Sequence, residues 1–312
     1  MTTPLTDVVL VVDKPIGPTS FDVVRRVRRA ARVRHVGHGG TLDQLASGVL
    51  PVCLGEATKL AQFLLDADKE YEVTICLGAE TDTDDAAGAV TVRKDARAID
   101  DSAVTRALAD FRGAIQQTPP AYSALKRAGR PAYDYARAGE PLSLEPRSVV
   151  IHALEMTSFA GPEALSLRIR CSKGTYVRAL ARDLGRALGV GGHVTALRRT
   201  MSGPFSLAAA RPLDEILAAL ETDQTSALPA VSLPDALGHL ARRVVSDELA
   251  RELRMGRRVS YAAVAGTDDA LAPPRVALVE QGGPERADQS RIGGTQARVH
   301  AGHGRSGSSL PA

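Results

Sequence analysis

Residues 38–51 constrain this chain more than any other stretch. Gly37, Gly39 and Gly40 lead into it, Gly48 follows, and Asp43 is its one acid. A run so rich in glycine and small residues predicts neither regular helix nor regular strand. It predicts a loop whose glycines adopt backbone angles closed to other residues and let a partner approach the main chain. A lone carboxylate on such a loop, five residues after His38, fits a functional site. It fits equally well a tight surface turn in which Asp43 bonds its own backbone.

The flanking segments have clearer periods. Val8 to Val12 reads as a buried strand, closed by the breaker-rich loop from Asp13 to Pro18. Thr19 fits an N-cap with Asp22 in the first turn of a helix running to about Val33. On that helix Val23, Val24, Val27 and Ala31 share one side, and Arg25, Arg28, Arg29 and Arg32 the other. Its cationic stripe delivers the chain to the Asp43 loop.

Further on, the spacing predicts a short helix over Thr58 to Leu65 and a half-buried strand over Tyr71 to Leu77. A helix capped by Ser102 to about Phe111, a half-buried strand over Leu165 to Cys171 and a helix from Tyr176 to Leu188 follow. Strands and helices mix without a regular βαβ beat. That predicts an α+β fold, a mixed and largely antiparallel sheet flanked by helices. Its domain is expected over residues 1–230, with Pro229 and Pro234 bracketing the boundary. A small C-terminal domain over residues 231–280, helical from Asp235 to Met255, and a disordered glycine-rich tail over 281–312 complete the expectation.

Composition narrows the class. With 44% apolar residues in 312, the chain can bury a sizeable core, yet its longest apolar runs are too short to span a bilayer. It lacks the pattern of a secretory leader, so a cytoplasmic protein is expected. Cys53, Cys76 and Cys171 are far apart and form no C-x-x-C pair, which reads as reduced core thiols and no zinc site. The net charge of +3 hides its placement: residues 25–38 carry six arginines and no acid, and residues 165–200 carry eight Lys or Arg and one acid, Asp183. Two basic segments beside motif-like loops point to a nucleic acid partner.

Familiar catalytic signatures are missing. There is no G-x-x-x-x-G-K-[ST] loop, no G-x-S-x-G elbow and no H-E-x-x-H pair, and Gly37-His38-Gly39-Gly40 does not complete a dinucleotide fingerprint. No nucleotide or redox cofactor is therefore expected. What remains is Asp43, the aromatic rings of Tyr71 and Tyr176 at element starts, and nearby arginines. Such a set suits unstacking a base, stacking it on a ring, and attacking sugar or base with a carboxylate. Asp82, Asp84 and Asp85 cluster, but a hard cation needs several converging oxygens, and a structural role is expected.

Over residues 8 to 205 the chain resembles the TruB family of tRNA pseudouridine-55 synthases. The matching pieces, in order, are Asp13-Lys14-Pro15-x-Gly17-x-Thr19-Ser20, His38-x-Gly40-Thr41-Leu42-Asp43, Ala46-x-Gly48-Val49-Leu50-Pro51 and Gly55-x-Ala57-Thr58-Lys59. Lys69-x-Tyr71, Leu77-Gly78-x-x-Thr81-Asp82-Thr83-x-Asp85 and Pro120-x-Tyr122-Ser123-Ala124-Leu125-Lys126 continue the series. Ser172-Lys173-Gly174-Thr175-Tyr176-x-Arg178 and Leu197-Arg198-Arg199 end it. Any one piece arises by chance; the ordered set at family-like spacing does not.

The resemblance implies a pseudouridine-synthase-like fold, isomerisation of the T-loop uridine of tRNA, and no cofactor, ATP or metal. Asp43 matches the family's essential aspartate, acting as nucleophile or stabilising positive charge at the sugar. Tyr71 matches the tyrosine that stacks on the target base and serves as a late base; plain strand packing is its alternative. Arg178 matches an arginine expected to pair with Asp43 and favour its charged form. Its alternative is an ordinary phosphate-binding or surface arginine. Tyr176 and Leu197 match pocket positions, although core packing suits Leu197 almost as well. His38 matches a contact to the flipped-out loop, and Lys14 a residue that shapes the pocket. Arg25, Arg28, Arg29, Arg32, Arg198 and Arg199 would hold phosphates, giving affinity without reading sequence. The implied enzyme works as a monomer on the T-arm of tRNA.

Two features depart from the family pattern. Gln44 stands where the family has proline, which should loosen the loop. The C-terminal part lacks an obvious full RNA-binding PUA domain and looks more like the shorter domain of actinobacterial relatives. Two rivals remain at this stage: a non-catalytic protein that binds or folds tRNA on the same scaffold, and a glycosidase, which would need a second acid paired with Asp43.

Overall fold

The computed structural model describes residues 5–255 apart from Ala124, Ala128 and Pro141, together with Arg257 and residues 276–280. In β1 (Val9–Lys14) the unbroken run from Val9 to Val12 is sealed from solvent. Then come α1 (Ser20–Ala31), β2 (Val36–His38), β3 (Ala46–Leu54), a 3₁₀ turn (Gly55–Leu60), α2 (Ala61–Asp66) and β4 (Lys69–Leu77). A hairpin of β5 (Ala79–Thr81) and β6 (Val90–Arg93) precedes α3 (Asp101–Ala109) and β7 (Gly113–Gln117). The small hairpin β8 (Lys126–Arg127) and β9 (Arg130–Pro131) leads to α4 (Ala132–Arg137), β10 (Arg147–Phe159) and β11 (Leu165–Cys171). Next are α5 (Val177–Ala187), β12 (Gly192–Ser202), β13 (Phe205–Ser206), β14 (Arg211–Pro212), α6 (Leu213–Glu221) and β15 (Ala230–Val231), within a unit ending at Ser232.

One sheet runs β14-β1-β3-β12-β4-β11-β10-β7, with β15 on β1, β2 on β3 and β13 on β12. Within it β1–β14 and β3–β12 are parallel and the other neighbours antiparallel, as an α+β chain of this pattern should be. Alternation settles which face is inside. β4 buries Tyr71, Val73, Ile75 and Leu77, and β11 buries Leu165, Leu167, Ile169 and Cys171, while Glu72, Arg168 and Arg170 face water. The buried rows join Leu10 and Val12 of β1, Val23 and Val27 of α1, Leu180 and Leu184 of α5 and Ile216 of α6 in one core. Each such side chain contributes about 1.5–3 kcal/mol when taken from water.

Thr19 and Asp22 close α1 with a reciprocal capping box. The helix stops at Ala31 because Arg32 turns left-handed, at φ 56°, and Ala30 rather than Ala31 takes the buried position. Asp100, not Ser102, caps α3, accepting from the Ala103 N–H at 2.8 Å.

Two expectations fail. Residues 46–51, read as loop, are the first part of β3. Their small residues serve a close strand pairing: at Gly48, φ 108°, an added Cβ would lie 2.2 Å from the carbonyl oxygen of Arg199 on β12. The second unit, from Leu233 onward, contains α7 (Leu233–Ala236), β16 (Ala241–Val245), α8 (Asp247–Arg254) and β17 (Val276–Glu280), with β16 and β17 parallel. A strand thus interrupts the helix expected over 235–255, in keeping with Val244 and Val245 as β-branched neighbours. The tail expected over 281–312 lies outside the described residues. Among those described, no helix is long and apolar enough to cross a membrane.

Replacing Gly48 by alanine should cost about 3 kcal/mol or more, from backbone strain plus the clash with β12. Urea unfolding would show it as a lower midpoint. An unchanged midpoint would mean that β3 and β12 part at this row without cost.

Candidate active site

Strand register sets the floor of the site. Lys14 of β1 lies opposite Gly48 of β3, Gly48 opposite Arg199 of β12, and Arg199 opposite Tyr71 of β4. Paired residues share a sheet face, so Lys14, Arg199 and Tyr71 line one row with a glycine between them. Leu197, two residues before Arg199, faces the same way and is buried opposite Val73.

Arg199 is 1% exposed. Its Nε donates to the Val49 carbonyl at 2.7 Å, Nη1 to that of Thr41 at 3.2 Å and Nη2 to that of Gly40 at 3.0 Å. A guanidinium spent on three backbone carbonyls inside the protein cannot hold a phosphate, and that expectation is corrected. Arg198, one residue earlier on a strand, turns to the opposite face. Its Nη2 meets Asp13 Oδ2 at 2.7 Å and its Nη1 meets Ser47 Oγ at 3.1 Å, so its charge is already answered. The two-residue period splits a pair that looks like one basic patch in the sequence.

Other bonds fix the rest of the Asp43 loop. The Gly39 N–H donates to the Pro51 carbonyl at 2.9 Å, Gly17 N–H to that of Gln44 at 2.8 Å, and Ala46 N–H to that of Asp43 at 3.1 Å. Ser20 Oγ accepts from the Leu42 N–H at 2.8 Å and donates to the Leu42 carbonyl at 3.1 Å. Lys14 Nζ donates to the carbonyls of Pro15 at 2.8 Å and Pro18 at 2.9 Å. Burial pushes its ammonium down to about 8, against the pull of Asp43 and with help from Arg199.

Arg178 stands in the first turn of α5, after Tyr176, whose N–H donates to Gln117 Oε1 at 2.8 Å. From there its Nε reaches Asp43 Oδ2 at 2.8 Å and its Nη2 reaches Oδ1 at 3.1 Å. Carbonyls of Thr83, at 2.8 Å, and Tyr122, at 3.0 Å, take its remaining donors, and Asp85 Oδ2 lies 3.5 Å from Nη1. Arg178 is buried, while the Asp43 side chain is 37% exposed. The carboxylate is held along one edge and open on the other, a two-bond geometry that orients as well as attracts.

Burial raises the phenol of Tyr71, with Arg199 opposing, and burial also raises that of Tyr176. His38 Nδ1 accepts from the Gly40 N–H at 3.3 Å, and burial, then Arg199, lowers its pKa, which disfavours the imidazolium. Arg25, Arg28, Arg29 and Arg32 are exposed along α1, Arg25 beside Asp22 at 2.8 Å. The clustered aspartates aim at separate partners. Asp82 accepts from Ala89 N–H, Asp84 pairs with Arg182 at 2.9 Å, and Asp85 accepts from Thr83 Oγ1 and Ala87 N–H.

Sequence reading assigned no role to Ser20, Thr83 or Tyr122. All three lie in the motif segments, but they act on Leu42 and Arg178 largely through backbone groups, which side-chain chemistry does not advertise.

Comparison with known proteins concerns the same residues. Residues 28–177 match the TruB family pseudouridylate synthase N-terminal domain, and residues 178–238 the tRNA pseudouridylate synthase B C-terminal domain. The chain is 47% identical over 275 residues to a tRNA pseudouridine synthase B of Burkholderia pseudomallei (strain 668), covering 88% of this chain and 89% of that one. It is 44% identical over 276 residues to that of Thermobifida fusca (strain YX), covering 86% and 92%. Among solved structures, a chain in the crystal structure of a Cbf5-Nop10-Gar1 complex is similar at TM-score 0.70 and 28% identity, covering 88% of this chain and 75% of that one.

Two outcomes follow from the geometry. Gln44 is the second residue of the turn closed from Ala46 N–H to the Asp43 carbonyl, a position that favours proline. Gln44→Pro should raise stability by about 0.4–1 kcal/mol, read as a higher Tm, together with faster turnover; a lower Tm would show the turn is not preset, and unchanged or lowered turnover would show that Gln44 does not loosen the loop. Lys14, lowered from 10.5 to about 8, makes the unfolded chain bind more protons between those values, so its own contribution to stability rises with pH across that window. Lys69, also lowered to about 8, adds to that slope, and the buried thiols of Cys53 and Cys171 oppose it above pH 9. Lys14→Met should therefore make the slope of stability against pH less positive in urea titrations from pH 8 to 10.5, and an identical slope would contradict the buried ammonium.

Proposed function

The chain belongs to the TruB family and is a tRNA pseudouridine synthase, an isomerase; on that premise we propose that it converts the T-arm uridine with Asp43 as the acting carboxylate. In this reaction the bond from ribose C1′ to uracil N1 breaks, the uracil turns, C5 joins C1′, and the C5 proton leaves while N1 gains one. Atoms and electrons balance within the substrate. The observation that carries the reading is the Asp43–Arg178 pair, fixed on one edge and open on the other.

A carboxylate at that open edge can add to the reacting nucleoside or offset positive charge at C1′ as the glycosidic bond weakens. Arg178 keeps it from swinging away. We assign stacking on the everted uracil to Tyr71, with Tyr176 and Leu197 lining the pocket, Lys14 shaping it and His38 meeting the opened loop. Phosphate binding falls to Arg25, Arg28, Arg29 and Arg32, all exposed on α1 or at its cap, with Arg25 beside Asp22 and Arg28 donating to the Val36 carbonyl. Catalysis belongs to the first unit, since every one of these residues precedes Ser232. The buried thiols Cys53 and Cys171, raised by burial to about 12 and about 11, support a cytoplasmic setting. The protein acts as a monomer in this reading.

Asp43→Asn keeps the side chain's size and removes its charge. Pseudouridine formation in a T-arm RNA hairpin should fall by about 10³-fold or more, while RNA affinity stays within about threefold. Wild-type turnover in the variant would remove Asp43 from the chemistry.

A further inference from the structure

Two apolar side chains stand out to solvent beside the Asp43 loop. Ile16 is 67% exposed and Phe21 64%, the most open large apolar side chains among the described residues. Single surface hydrophobics need no explanation, but these two share the segment on which the loop leans. Gly17, next to Ile16, bonds Gln44, and Ser20, next to Phe21, bonds both backbone groups of Leu42. Neither sits on fraying chain. Ile16 rides between Pro15 and Pro18, whose carbonyls both accept from the buried Lys14 ammonium. Phe21 lies in the first turn of α1, inside the Thr19–Asp22 capping box. Backbone held this firmly need not be ordered again when a ligand covers these side chains.

Charge indicates the ligand. At about 100° per residue, Phe21, Arg25 and Arg28 follow one another along the same exposed stripe of α1, with Arg29 beside it and Arg32 exposed at the left-handed cap. Helical side chains lean toward the N-terminus, so the ring heads the stripe at the end nearest the Asp43 loop. A row of cations that ends in an aromatic face matches unpaired nucleic acid, phosphates along the row and a base on the ring. We propose that Phe21, with Ile16 on the adjoining loop, is the stacking platform for an unpaired base neighbouring the nucleotide that enters the Asp43 site. This assignment rests on the RNA reading above and adds a base-contacting residue to it.

The test uses the full chain and a T-arm RNA hairpin. Phe21→Ala should weaken binding about tenfold, a usual loss for one stacked base, and should raise KM more than it lowers kcat. Phe21→Trp should restore affinity and Phe21→Leu should not. The slope of log Kd against log salt should match wild type for Phe21→Ala, whereas Arg28→Gln should reduce its magnitude by about one. Among hairpins with a single abasic position in the loop, one should lose its sensitivity to Phe21→Ala. Equal affinity of wild type and Phe21→Ala overturns the proposal, and so does full rescue by leucine. Failure of the wider reading looks different: the wild-type chain would then form no pseudouridine in that hairpin.

Discussion

The buried guanidinium of Arg199 is the constraint on which the site depends. It reaches Gly40 and Thr41 near the start of the Asp43 loop and Val49 beyond it, so one side chain ties both flanks of the loop to β12. Taking such a charge out of water is costly unless it is well hydrogen-bonded. Backbone carbonyls take three of its donors here. The loop's glycines then have a mechanical reason. Gly40, at φ 147°, has Arg199 Nη1 3.4 Å from where a Cβ would stand, and Gly48 lets β12 come close enough to place the arginine at all.

With its loop tied, Asp43 needs only orientation, and Arg178 provides it from the first turn of α5. The two arginines divide the work. Arg199 binds backbone and positions the loop; Arg178 binds the carboxylate and is itself steadied by Thr83, Tyr122 and Asp85. Lys14, on the same strand row as Arg199, adds a third buried cation. The carboxylate thus lies among charges and dipoles fixed before the substrate arrives.

Much of this was legible in residue patterns. Thr19 and Asp22 announce a helix start, and the alternation in β4 and β11 announces half-buried strands, because both signals are local. The start of β3 is silent in the sequence because Ala46, Ser47 and Gly48 carry no strand signal of their own; their conformation comes from β12, far along the chain. The same distance hid the fate of Arg198 and Arg199. Adjacent cations look equivalent until a partner strand decides which one points inward. Asp43 and Arg178 are 135 residues apart, and nothing in either segment alone links them; the family resemblance did. The helix expected over 235–255 failed because Val244 and Val245 prefer an extended partner that β17 supplies from later in the chain.

The place of β12 in the sheet bears on how the protein comes into being. It is flanked by β3 and β4, both made long before it, so a growing chain lacks the central plank that joins its two earlier groups of strands. Until residues 192–202 emerge, β3 and β4 each keep an unsatisfied edge, and such edges invite pairing with the wrong neighbour. Closing that gap requires contacts between distant parts of the chain, the kind that slow folding most. Assembly of the sheet and readiness of the enzyme are therefore one late event: the strand that zips the halves together carries the arginine that sets the loop.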